Sequence, residues 1–338
     1  MPTPPAYPFR AWWAQRSPAA GAAVMATGIV STALHLAGRE ILSRIFLVLA
    51  CAAWLGLAAE FVLRLLRERE RWIPEAETPG ALTTLTAVAA TTVLGAQVSA
   101  LGHDALAGAL LAPAAVLWPA LLVLVVRRRQ PRMPGSVFLC CVATQGLAVL
   151  AATLAAAESA TWLARVALVL FWSGLVLYAI ALFRFDLRQV TEGAGDHWVA
   201  GGAIAISALA GAELLVADSA RLHLWNDDDL GVLRVMTVDL LVLDLAWYGV
   251  LLVGEAVRPR PRYDTRRWAT VFPLGMTAAA TLGASTAVGV PWLEGLGRVL
   301  LWVAVAVWLV VAVGAVASAR AAITSGPVRE PVRSTARR

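Results

Sequence analysis

Uncharged hydroxyl and amide side chains recur inside the apolar stretches of this sequence: Thr27, Ser31, Thr84, Thr91, Gln97, Thr144, Gln145, Ser207, Thr277, Thr281 and Ser285. Thr27, Ser31 and His35 stand at i, i+4 and i+8, and Thr277, Thr281 and Ser285 repeat that interval, so each trio takes one helix face. A path of hydroxyls and backbone dipoles without fixed charge holds an anion loosely enough for it to leave again. That pattern fits conduction rather than covalent chemistry. Thr27, Gly28, Ser31, Thr84, Thr91, Thr144, Gln145 and Thr277 are therefore candidates for lining a passage. The competing role is structural, since Ser and Thr in membrane helices also bond their own backbone or a neighbouring helix.

Three acids, Glu213, Asp239 and Asp244, also fall in apolar surroundings, where an ionisable group is costly enough to be weighed first for function. Asp239 and Asp244 lie about 140° apart on a helix and cannot both face one site. Asp244 has Tyr248 one turn on as a partner, and Asp239 has Arg165 or Arg234 near the outer surface, so structural pairing is favoured over proton relay. Any of the three that lined the passage would oppose anions when ionised and would favour proton coupling. The other signals are bland. His35, His103, His197 and His223 sit near the ends of apolar runs without metal-ligand spacing, and Asp227, Asp228 and Asp229 read as a solvated outer loop. Cys51, Cys140 and Cys141 suit neither a disulfide nor a zinc site. With no phosphate loop and no nucleophile paired with a base, the expectation is a non-enzyme with no metal and no cofactor.

The elements that position these groups follow from composition. Apolar residues make up 59% of 338 positions and the mean hydropathy is +0.72, values of a polytopic membrane protein. Runs long enough to cross a bilayer occupy about 18 to 37, 41 to 63, 81 to 101, 105 to 126, 136 to 156, 160 to 183, 198 to 217, 231 to 254, 268 to 290 and 297 to 319. The net charge of +6 does not indicate nucleic acid, because the 28 basic residues are all Arg and sit between the runs. Ten spans place most of them on one face, which puts both termini in the cytoplasm of a bacterial-type inner membrane. Residues 1–17 and 320–338 then form cytoplasmic tails around a transport domain spanning 18–319. The outward turns after runs one, three, five and nine are very short, so neighbours pair as five hairpins.

Odd runs are rich in Ala, Gly, Ser and Thr, whereas Trp54, Trp118, Trp172, Trp247, Trp302 and Trp308 lie in the bodies of even runs. Small residues let backbones approach and bulky ones suit lipid, so the expected fold is all-α, with an inner ring of odd helices around a central pore and an outer ring of even ones. Pro273, inside the ninth run, kinks its helix and frees a carbonyl, which is tolerated where the helix packs in protein or lines a watery cavity.

The VMATGIVSTALH stretch of the first run, the WxxxFPxGM opening of the ninth and the alternation of small and bulky spans resemble the tellurite-resistance and C4-dicarboxylate transporter family. Plant slow anion channels and fungal malate and sulfite transporters are its relatives. The resemblance covers about 18 to 319 and implies five hairpins around a pore, assembled in the bilayer as a homotrimer with one pore per subunit. It also implies that Phe272, beside Pro273, occludes the pore. Ala26 departs from the Gly common at that position in relatives. The implied activity is passage of small inorganic or organic anions. The alternative is proton-coupled transport of a C4-dicarboxylate or an oxyanion such as tellurite or sulfite, because the family contains both kinds.

Overall fold

A computed structural model of the chain describes residues 17–67, 80–126, 133–193, 195–218, 224–260 and 263–324. Ten long helices occupy these residues: α1 Ser17–Leu36, α2 Glu40–Arg67, α3 Gly80–Ala100, α4 Asp104–Val126, α5 Leu139–Glu158, α6 Thr161–Arg184, α7 Val199–Ala217, α8 Asp227–Val257, α9 Trp268–Val288 and α10 Trp292–Thr324. Eight are long and apolar enough to cross a membrane, and α1 and α3 contribute shorter apolar segments, Gly21–Leu36 and Leu85–Ala100. Most of each proposed tail lies outside the described residues; α1 begins at Ser17 and α10 runs on to Thr324.

Glycine and left-handed turns fold the helices back on one another. Gly38, Gly102 and Gly289 have φ of 71°, 81° and 72°, and Ser159 has 53°, each just beyond the end of an odd helix. The left-handed residue closes the last helical turn and reverses the chain within two or three residues. Single 3₁₀ turns, Gly135–Phe138, Asp196–Trp198 and Thr265–Arg267, lead into α5, α7 and α9 at the opposite end.

Packing sorts the helices into two layers. The odd helices touch in a closed cycle, α1 to α3 to α5 to α7 to α9 and back to α1. Each even helix packs on its predecessor and on the next odd helix, so every outer helix straddles a seam of the ring. Glycine permits the close approach within the ring. A Cβ on Gly146 of α5 would stand 2.4 Å from the Thr92 hydroxyl of α3, and one on Gly275 of α9 would stand 2.9 Å from Ile29 of α1. Both distances are below any real contact, so these interfaces require the missing side chain.

Indole N–H groups fasten the outer layer to the inner one. Trp54 of α2 donates to the Thr91 hydroxyl of α3 at 2.9 Å, Trp118 of α4 to Thr144 of α5 at 2.8 Å, and Trp308 of α10 to Thr27 of α1 at 3.0 Å. Each threonine in turn donates to a carbonyl four residues back on its own helix. On α8 a carboxylate takes the tryptophan's place, with Thr277 of α9 donating to Asp244 at 3.1 Å. Interhelical bonds of this kind contribute about 0.6 kcal/mol on average and at most about 1.7 kcal/mol. A double-mutant cycle of Trp118→Phe and Thr144→Val should therefore show a coupling in that range by unfolding in detergent. A cycle of zero coupling would remove the clamp from the account of stability.

Candidate functional site

Along the axis of the ring lies a small void lined by residues from all five odd helices: Ile29 and Thr32 of α1, Thr92, Val93 and Ala96 of α3, Gly146 and Val149 of α5, Ile206 and Leu209 of α7, and Met276 of α9. Its volume is about 20 Å³, room for a single water. The lining is nearly all apolar. Its two hydroxyls are turned back on their own helices, Thr32 to the Gly28 carbonyl and Thr92 to the Ala89 carbonyl.

Phe272 shares a helix face with Met276, one turn closer to the end where α9 begins. The ring is 1% exposed and lies against Gly202 of α7, where a Cβ would stand 2.8 Å from the aromatic edge and 3.0 Å from the Pro273 ring. Gly202 is one turn before Ile206 on the same face of α7. Phe272 and Gly202 thus form the layer next to the void, and the bare α-carbon of Gly202 makes the space that the phenyl ring fills. Proline inside a helix is not special to the inner ring, because Pro113 and Pro119 lie within outer helix α4.

The hydroxyls and amide singled out from sequence face elsewhere. Thr27, Thr91 and Thr144 meet the indoles of outer helices, and Thr277 meets Asp244. Ser31 exchanges bonds with Ser43 of α2, each hydroxyl donating to the other's carbonyl, and Gln97 adds a bond to the Ser43 hydroxyl at 3.0 Å. Gln145 donates to the Phe171 carbonyl of α6 at 3.0 Å. Gly28 lies against Val93 of α3. The side chain of Thr84 is outside the described ones, although its backbone belongs to α3. Three of the lining residues, Thr32, Thr92 and Gly146, directly follow Ser31, Thr91 and Gln145. One residue is about 100° of rotation, enough to carry a side chain from the seam to the axis. Identifying them required the phase of each helix, which polarity alone does not give.

The three acids separate. Asp239 is exposed on the outer side of α8 among Val235, Val238 and Val242; Arg234, expected as its partner, instead donates to the Val288 carbonyl. Asp244 is fully buried between α8 and α9, and Thr277 rather than Tyr248 is its bonded partner; its second oxygen and the Tyr248 hydroxyl have none among the described residues. Glu213 of α7 accepts from Thr153 of α5 at 3.3 Å. A structural Asp244 predicts that Asp244→Asn, which can still accept from Thr277, leaves folding and flux near wild type. Asp244→Leu strands the Thr277 hydroxyl and should cost about 1 to 3 kcal/mol in unfolding. Loss of the conductance of a Phe272→Ala protein on adding Asp244→Asn, with folding intact, would instead make this carboxylate part of transport.

Comparison with known proteins bears on what such a ring does. Residues 15–316 match the family model SLAC1, described as voltage-dependent anion channel. Two similar relatives are uncharacterized membrane proteins of Mycobacterium tuberculosis, from strains CDC 1551 and H37Rv. Each is 30% identical over 142 residues, a match covering 40% of this chain and 68% of the relative. The molecule is a multi-pass membrane protein, and its family consists of channels and transporters that carry anions. The family-model match extends over nearly the whole ten-helix assembly: the chain belongs to the SLAC1 voltage-dependent anion channel family.

Proposed function

We propose that the ring of odd helices encloses the route of a small anion, and that Phe272 occludes it. The observation that carries this reading is the stacking of Phe272, seated on Gly202, next to a central void to which each of the five odd helices contributes. A phenyl ring and a mostly apolar lining oppose a hydrated anion through its loss of water, without binding it tightly. Pro273 sets the path of α9 at the level of the ring. In this reading all ten helices cross a bacterial inner membrane as five hairpins, both termini are cytoplasmic, and three copies assemble with one passage each. Phe272 then lies toward the cytoplasmic end, where the arginines concentrate.

The alternative is a carrier that couples a C4-dicarboxylate or oxyanion to protons. It draws support from buried Asp244, an acid held without a cationic partner among the described residues. The two readings differ in driving force: a channel's current reverses where the anion gradient dictates, and a carrier's flux saturates and follows a proton gradient.

The test is anion current through purified protein in planar bilayers, wild type beside Phe272→Ala. Wild type should be nearly silent, and the variant should conduct chloride and nitrate at least about tenfold better, as expected when about 1.4 kcal/mol or more is removed from a barrier. Gly202→Ala should alter wild-type flux by displacing the ring and have little effect once Phe272 is alanine. Equal currents in wild type and Phe272→Ala would remove this side chain from the occlusion.

A further inference from the structure

We infer that Glu213 is a protonation-dependent selectivity element at the outer end of the passage, an inference that rests on the proposed route along the ring axis. The face of α7 that carries Gly202, Ile206 and Leu209 along the axis continues to Glu213, eleven residues beyond Gly202 and about 20° from it in projection. From α5 the same logic selects Thr153, seven residues beyond Gly146 on the lining face. The two side chains meet at 3.3 Å, so the bond between α5 and α7 marks the end of the axis opposite Phe272.

Thr153 suits both states of the carboxyl group. Its single hydroxyl hydrogen has two acceptors, the Val149 carbonyl at 2.9 Å and Glu213 at 3.3 Å. With Glu213 ionised, the hydrogen points to the carboxylate. With Glu213 protonated, the hydrogen returns to Val149 and the threonine oxygen accepts from the acid. Neither state leaves the Thr153 hydroxyl stranded.

The charges on the surrounding elements leave Glu213 without an ion pair among the described residues. Arg234 of α8 is engaged by the Val288 carbonyl, and Ser285 of α9 by the Leu282 carbonyl. Asp218, just after α7, accepts from the Leu224 amide. Glu158 at the end of α5, Arg165 at the start of α6 and Asp227, Asp228 and Asp229 at the start of α8 are exposed. An ionised Glu213, unpaired among the described residues, therefore puts a negative charge beside the route and repels anions, divalent ones most. Protonation removes the repulsion, so anion passage rises as the pH on this side falls.

The test uses the full chain in liposomes or planar bilayers in the Phe272→Ala background, so that the far end is open. External pH is set to 8 or 5 with internal pH fixed, and chloride and malate are compared. External acid should raise conductance about tenfold, the effect of lifting one nearby charge in partly hydrated surroundings. Adding Glu213→Gln should give high conductance at both pH values, with a larger gain for malate than for chloride. Conduction without external-pH dependence, or dependence that survives Glu213→Gln, overturns the role of Glu213. Silence of both Phe272→Ala and Phe272→Leu, in protein that elutes as a folded species, overturns the route itself and this inference with it.

Discussion

A hydroxyl or amide on a membrane helix has no water to turn to, and the whole arrangement depends on where those groups find partners. Here some, such as Thr32 and Thr92, turn back on their own helices, and many of the others find partners at the seams between layers. Thr27, Thr91 and Thr144 accept indole N–H groups from α10, α2 and α4, Thr277 meets Asp244 of α8, and Ser31 and Gln145 bond into α2 and α6. Each bond is modest in energy, but together they fix how each of these inner helices is rotated about its axis. With the polar groups turned outward, glycines and aliphatic residues are left to face one another and the central axis. Close approach at Gly146 and Gly275 then draws the ring shut.

That rotation has a functional consequence. In the proposed route, a passage lined by Ile29, Val149, Ile206, Leu209 and Met276 would be a dewetting barrier rather than a ladder of binding sites. Such a barrier holds an anion weakly and is controlled by small changes in width, which gives a single phenyl ring leverage. Phe272, the side chain proposed for that role, lies where Gly202 leaves space for it on the neighbouring helix. In the role inferred for it, Glu213 at the far end of the same surface would add charge where the other lining groups are neutral. Width at one end and charge at the other would then be separable controls of the proposed route.

Much of the fold was legible in the sequence. Hydropathic length located the helices to within a few residues for most of them, and the contrast between small odd runs and Trp-bearing even runs predicted which would lie inside. Pro273 stood out as a proline inside a membrane run, and the occluding role expected of Phe272 came from resemblance to a family to which the chain does belong. The lining was harder to read, because hydroxyls serve equally well in a pore and in a seam. Polarity pointed to Thr27, Ser31 and Thr91, whereas Thr32 and Thr92 are the hydroxyl residues at the axis. The tryptophans held the missing signal: an indole N–H inside a membrane also needs an acceptor, and the threonines of the next inner helix supply it. Asp244 was given Tyr248 of its own helix as partner, whereas Thr277 donates to it, since a partner 33 residues away on α9 leaves no trace in local spacing.

The central claim is that the axial surface, not the hydroxyl-rich seam, is the route of the anion. Single cysteines can be placed at Thr32, Thr92, Ile206 and Met276, and separately at Thr27, Ser31 and Thr144. The host is a Phe272→Ala protein whose native Cys51, Cys140 and Cys141 have been replaced. A small negatively charged thiol reagent applied during current recording should modify the first set and block conduction while leaving the second set unreacted. Block at Thr27, Ser31 and Thr144 with silence at the axial positions would contradict the account.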